Sequence, residues 1–290
     1  MKESRGIDHL VLCVRDLDAA RAAYARMGFT LTPPAMHPWG TGNSLVQLHG
    51  NFLELLAVVE PSKMAPPGRG EFSFGLFNKA FLEKREGFSM LVFASDDARR
   101  DQAEFAKSGL RTYAPFDFSR TARLPGGEEV TVGFSLAFVT DPRMPEAGIF
   151  VCQQHAPQHF WKPDFQNHAN GALAVTEAVM VADHPSELAE LFGRLQDEDA
   201  ISSADGQITV ATARGRVVVL DRRRAEDRFG TTLPHGPETP HFIAYRIAVK
   251  DVSATRTLLD AAGVHFRAIQ DTLQIAASDA FGTVIEFAPG

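Results

Sequence analysis

The chain has 290 residues, 44% of them hydrophobic and 22% charged, a globular composition long enough to build two cores. Its formal net charge of -7 gives no general attraction for nucleic-acid phosphates or anionic lipid, and no apolar run approaches the ~20 residues that span a bilayer. Cys13 and Cys152, the two cysteines, both lie in apolar strand-like segments and read as reduced thiols. With no apolar leader after MKESRG, the expected location is cytoplasmic.

Gly6 to Asp16, GIDHLVLCVRD, predicts a strand with His9, Val11 and Cys13 on one face and Leu10, Leu12 and Val14 on the other. Both faces are apolar, so both should be covered, and His9 is either a satisfied core residue or a ligand facing a cavity. LDAARAAYARMGF follows as a helix, with Leu17, Ala20, Tyr24 and Met27 on one stripe and Gly28 as its stop. A turn-rich stretch from Pro33 to Gly42 leads to two strands, Ser44 to Leu48 and Asn51 to Val58, completing a βαβββ unit. Phe72 to Arg85 carries Phe74, Phe77 and Phe81 at helical spacing.

The same grammar restarts at FSMLVFAS from Phe88, runs through a helix and a strand pair around PGGEE, and ends in GIFVCQQ. It recurs from LAVTEAVMVAD and again from HFIAYRIAVKD. Asp16 and Gly28, Asp97 and Gly109, and Asp251 and Gly263 are each 12 positions apart, while the third unit has Leu195 where the glycine would fall. The fold class predicted is α+β, four βαβββ modules paired as residues 1–155 and 172–290. The aromatic, proline-bearing segment 156–171 is read as a fixed connection, packed through Phe160, Trp161 and Phe165.

Several residues stand out chemically. Glu54, flanked by Phe52, Leu53, Leu55 and Leu56, is costly to bury without a metal or a partner, and His9 is the bland candidate for that partner. Cys152, His155 and His159 have zinc-compatible spacing, but Pro157 argues against one helix presenting both histidines. Arg222 to Arg224 read as a solvated face, and Glu286 as either a cavity residue or a paired structural one.

The phrases GIDHLVLCVRDLDAA and SDAFGTVIEF, with His in a first strand and Glu in a fourth, resemble the vicinal oxygen chelate superfamily. More narrowly, the opening GIDHLVLCVRDLDAARAAYARMGFTLTPP and HPWGTGNSLVQLHGNFLELLAV resemble glyoxalase-like domain proteins. The resemblance implies two half-barrel domains, the first holding a divalent metal by residues of strands one and four of its modules. Carried over, those positions are His9 and Glu54 in module one, and Ser89 or Met90 with Cys152 in module two. The implied metal set is therefore His9, Glu54 and Cys152, with zinc, manganese, iron and nickel not distinguished and no nucleotide cofactor. Glu54 would double as the catalytic base, and Trp39 and Asn43, near His37 and Thr41, would meet substrate at the cavity mouth. In modules three and four the positions fall near Thr176, on Ala244 or Tyr245, and on Glu286, a degenerate set suited to a structural half.

The activity implied is a metal-dependent lyase or isomerase step on a small hydroxy- or keto-carbonyl compound. The alternative is a metal-free small-molecule binder of the resistance type, and an extradiol dioxygenase is the weaker rival. The resemblance also allows a homodimer.

Overall fold

The computed structural model describes residues 4–123, 129–230, 233–234 and 236–290. In the first half, strand β1 (Ile7–Cys13) is followed by helix α1 (Leu17–Arg26) and strands β2 (Ala35–Met36), β3 (Thr41–Gln47) and β4 (Phe52–Val58). Helix α2 (Phe74–Lys84) leads to β5 (Gly87–Ala94), α3 (Ala98–Lys107), β6 (Arg111–Thr112), β7 (Phe116–Arg123), β8 (Glu129–Thr140) and β9 (Gly148–Gln154). These strands form one nine-stranded sheet in the order β2-β3-β4-β1-β5-β9-β8-β6, with β7 also paired to β8. The turn expected at PGGEE lies largely outside the described residues.

A short helix α4 (Pro157–Phe160) opens the second half, which continues through β10 (Ala172–Val181), α5 (Ala189–Leu195), β11 (Ile201–Ala204), β12 (Gln207–Ala211) and β13 (Arg216–Leu220). It ends with α6 (Arg222–Phe229), β14 (His241–Val249), α7 (Val252–Ala261), β15 (Arg267–Ile269), β16 (Thr272–Ile275) and β17 (Val284–Pro289). The second sheet has eight strands in the order β11-β12-β13-β10-β14-β17-β16-β15. In each sheet the first strands of the two modules, β1 with β5 and β10 with β14, pair antiparallel at the centre, and each runs parallel to the last strand of its own module. The mixed α+β architecture is the one the repeats predict.

The recurrent 12-residue spacing has a direct local cause. Asp16, Asp97 and Asp251 are N-caps whose carboxylates accept from backbone N–H groups of the first turn, and Gly28, Gly109 and Gly263 lie just past the helix ends at φ of 87°, 83° and 64°. A left-handed backbone at those sites is cheap only for glycine. The third module departs from this pattern: Pro185 opens a 3-10 turn, α5 follows it, and Gln196 ends the helix at φ -108°.

One face of β1 carries Leu10, Leu12 and Val14 into a core that runs continuously through both sheets. Phe88 stacks on Phe242 with centroids 4.2 Å apart, and the Tyr24 and Tyr245 hydroxyls meet at 2.8 Å. The other face carries Val11 and Cys13 into a separate, aromatic-rich cluster with Phe52, Phe138 and Phe150. Segment 156–171 is fastened down, because the Gln47 side chain donates to Phe160 O and accepts from Lys162 N, while His168 Nε2 lies 2.8 Å from Gln47 O. No helix among the described residues is long and apolar enough to cross a membrane.

Candidate functional site

His9 and Glu54 project from adjacent parallel strands into a chamber of about 50 Å³ on the aromatic side of the first sheet. Both are nearly buried, at 4% and 6% exposure, in walls that include Phe52, Phe118, Phe134 and Phe150. Carboxylates and imidazoles in such surroundings need partners. Asn43 Nδ2 donates to Glu54 Oε1 at 2.7 Å, while His9 Nε2 stands 3.7 Å from Glu54 Oε2 and His37 Nε2 stands 3.9 Å from Oε1. His9 Nδ1 lies 2.7 Å from Asp8 Oδ2, and Gln154 Nε2 donates to Asp8 Oδ1 at 3.1 Å. His9 also stacks on Phe52, with centroids 4.3 Å apart.

The Asp8 contact was missed by strict strand alternation, which sends neighbouring side chains to opposite faces. The register between β1 and β5 shifts between Ile7 and His9, and this irregularity lets Asp8 stand beside the ring of the next residue. The signal in the sequence was an aspartate inside an apolar strand, directly before the histidine.

His9 and Glu54, the module-one positions, line the same chamber, but the corresponding positions of the second module do not supply ligands. Pairing of His9 with Val92 and of Val11 with Met90 makes Met90 the counterpart of His9. Glu54 lies across from Val11, and Phe150 lies across from Val92, so the counterpart of Glu54 is Phe150. The expectation that Cys152 holds that position is corrected by this register: Cys152 sits two residues further, opposite Ala94. It does line the chamber, yet burial, reinforced by Asp8 and Glu54, pushes its thiol well above the ordinary value and keeps it protonated. Phe150 offers no donor where a second fourth-strand ligand would stand, and although His9, His37 and Glu54 all face the chamber, no group of three or more His, Cys, Asp and Glu among the described residues is arranged to hold a metal ion. His155 does not join Cys152 either; it is exposed and meets Ser135 Oγ at 2.8 Å.

Trp39 and Asn43 are both at the chamber. Trp39 stacks on His37 at 4.6 Å with its plane 9° off parallel, and His37 Nδ1 is 2.8 Å from Thr41 Oγ1, so a ladder of side chains runs from the half-buried Trp39 to Glu54.

The second half fills the corresponding space with its own side chains. Ala225 and Phe229 of α6 pack against Val179, Val218 and Ile243. Arg228, on the same helix, pairs with Glu177 at 2.5 Å and with Glu286, both carboxylates being almost fully buried. Arg216 adds a 2.6 Å contact to Glu177; Arg246 at 3.1 Å and Gln274 at 2.8 Å complete Glu286. Glu286 is the register counterpart of Glu54, lying across from Arg246 as Glu54 does from Val11. A guanidinium therefore occupies its oxygens, and the ligand set of an extradiol site is not assembled there. Arg222 and Arg223 form exposed ion pairs with Asp183 and Asp205, as a solvated face should.

Paired modules with central antiparallel first strands and a His–Glu pair in the hollow define a protein of the vicinal oxygen chelate class. Residues 7–196 match the model for the glyoxalase-like domain, and the chain belongs to that family. Among solved structures, a hypothetical protein from Staphylococcus aureus aligns at 14% identity over 99% of this chain and 100% of its own, with a TM-score of 0.70. A 4-hydroxymandelate synthase mutant from Streptomyces coelicolor aligns at 13% identity over 99% and 94%, TM-score 0.58, and a Mn(II)-bound glyoxalase from Novosphingobium aromaticivorans at 11% over 99% and 82%, TM-score 0.57. At these identities the likeness is one of fold. A search of curated proteins gave no match.

Proposed function

We propose that the first half binds a small, uncharged hydroxy- or keto-carbonyl compound in the His9–Glu54 chamber without a resident metal. The observation that carries this reading is the composition of the chamber: hydrogen-bonding groups gathered around Glu54, aromatic rings on much of the remaining wall, and Phe150 at the position where a further metal ligand would be required. A ligand hydroxyl placed between His9 Nε2 and Glu54 Oε2 would bridge their 3.7 Å separation, and flat apolar surface would lie against Phe52 and Phe150. The same bridge would put an acid–base pair on that hydroxyl, with Asp8 orienting the imidazole, so proton transfer on the ligand is chemically open.

The facing of His9 and Glu54 also supports a second reading, the metal-dependent lyase or isomerase, in which a divalent ion would draw further donors from the substrate. Calorimetric titration of 1-hydroxypropan-2-one separates the two, run beside elemental metal analysis of protein purified without added metal. We expect binding to persist after exhaustive chelation and to weaken at least tenfold in Glu54→Leu, as loss of a charge-assisted hydrogen bond implies. Binding abolished by chelation and restored by zinc, manganese, iron or nickel would overturn the metal-free reading in favour of the second.

A further inference from the structure

The chamber has room for only a few heavy atoms, but it is not isolated. A second cavity of about 290 Å³ shares Trp39 and Phe74 with it and is lined beyond them by Met64, Pro66, Phe72 and Phe116. Trp39 stands at the partition: its ring stacks on His37 toward the chamber and meets Phe116 edge-on, with centroids 5.0 Å apart, toward the groove. Gly75 permits this placement. A Cβ there would lie 3.3 Å from both Trp39 Cδ1 and Met64 Cγ, and glycine is otherwise a poor choice inside a helix. The Trp39 indole Nε1 is buried and has no hydrogen-bond partner among the described residues, an unspent donor on a side chain that borders both cavities.

We propose that the natural ligand has two parts, a small hydroxy-carbonyl head in the chamber and an unbranched apolar arm in the groove, with Trp39 Nε1 donating to an oxygen where they join. This rests on the chamber being the binding site. Lys63 and Glu71 also line the groove, but its methionine, proline and phenylalanine walls suit a flexible hydrocarbon, and an arm laid along them removes apolar surface from water on both partners. Trp39 thus acts as a specificity-determining residue, selecting for an acceptor at one fixed distance from the head.

The test is a calorimetric series of 1-hydroxyalkan-2-ones from three to ten carbons, run on the full chain and on Ala114→Trp, in which the new ring fills the groove. Affinity is expected to rise about threefold per methylene and then level off once the groove is full. Ala114→Trp should flatten that dependence, and Trp39→Phe should lower the affinity of every member by up to about tenfold. Equal affinity across the series, with the shortest member bound, overturns the two-part ligand and leaves the chamber reading intact. A dependence unchanged in folded Ala114→Trp places the arm elsewhere and also overturns it. If no member binds at any length, both readings fall.

Discussion

Replacing Arg228 by Met tests the claim that a guanidinium supplies the positive charge in the second half. The substitution keeps most of the side-chain volume and removes the ion that contacts Glu177 and Glu286, which are 1% and 2% exposed. Breaking a buried pair by deleting one partner costs about 3–5 kcal/mol. Arg216, Arg246 and Gln274 remain as partial partners, so the lower end, about 3 kcal/mol, is expected. The pH dependence sharpens the test. Burial alone would raise the Glu286 carboxyl, but the hydrogen bond and charge of Arg228, with Arg246 and Gln274, hold it below its ordinary value in the folded protein. A lowered folded value means the stabilisation is fully present above the unfolded carboxylate range and is lost as pH falls through the folded value. In Arg228→Met the effect of burial on Glu286 is less opposed and its carboxyl protonates more readily, so the variant's deficit should be greatest near pH 7 and shrink toward pH 4. Urea unfolding of both proteins across that range reads it directly. A deficit under about 1 kcal/mol at pH 7, or one that does not change with pH, would refute the reasoning.

Two further outcomes follow from buried groups. Tyr24→Phe should cost about 1–2 kcal/mol by stranding the Tyr245 hydroxyl, whereas the Tyr24→Phe, Tyr245→Phe double variant should recover part of that loss; strict additivity in urea unfolding would show that the 2.8 Å contact contributes no coupling. Burial raises both thiols far above the ordinary value, with nearby carboxylates adding to it, so Cys13 and Cys152 should react with a disulfide reagent at pH 8 at least a hundredfold more slowly than in urea. Rapid native modification of one thiol at pH 7 would instead reveal a thiolate and restore Cys152 as a donor for a soft metal.

The parts of this molecule governed by local chemistry were legible in the sequence. The two faces of β1 separate as alternation predicts, and the 12-residue spacing is the distance from an aspartate cap to a left-handed glycine. The need of Glu54 for company was legible too, although its direct donor proved to be Asn43, with His9 set back at 3.7 Å. What could not be read depends on register and on distance along the chain. A local irregularity turns Asp8 toward His9, and strand pairing, which no residue spells out, puts Phe150 rather than Cys152 opposite the key valine. Arg228 lies 51 residues from Glu177 and 58 from Glu286, inside a helix whose opening arginines advertise solvent, so nothing near it signals a buried role.

The continuity of the core through both sheets bears on how the protein can be dissected. Phe88 against Phe242, Phe29 against Phe287 and the tyrosine pair are contacts that each half makes only with the other. Cutting the chain after residue 171 would therefore strip a packed apolar face rather than release a self-sufficient lobe, and the fragment would be drawn to aggregate through it. The two halves are two pleats of one fabric. Their stability is held in common, and a defect in the second half should be felt as lost stability in the half that carries the His9–Glu54 chamber.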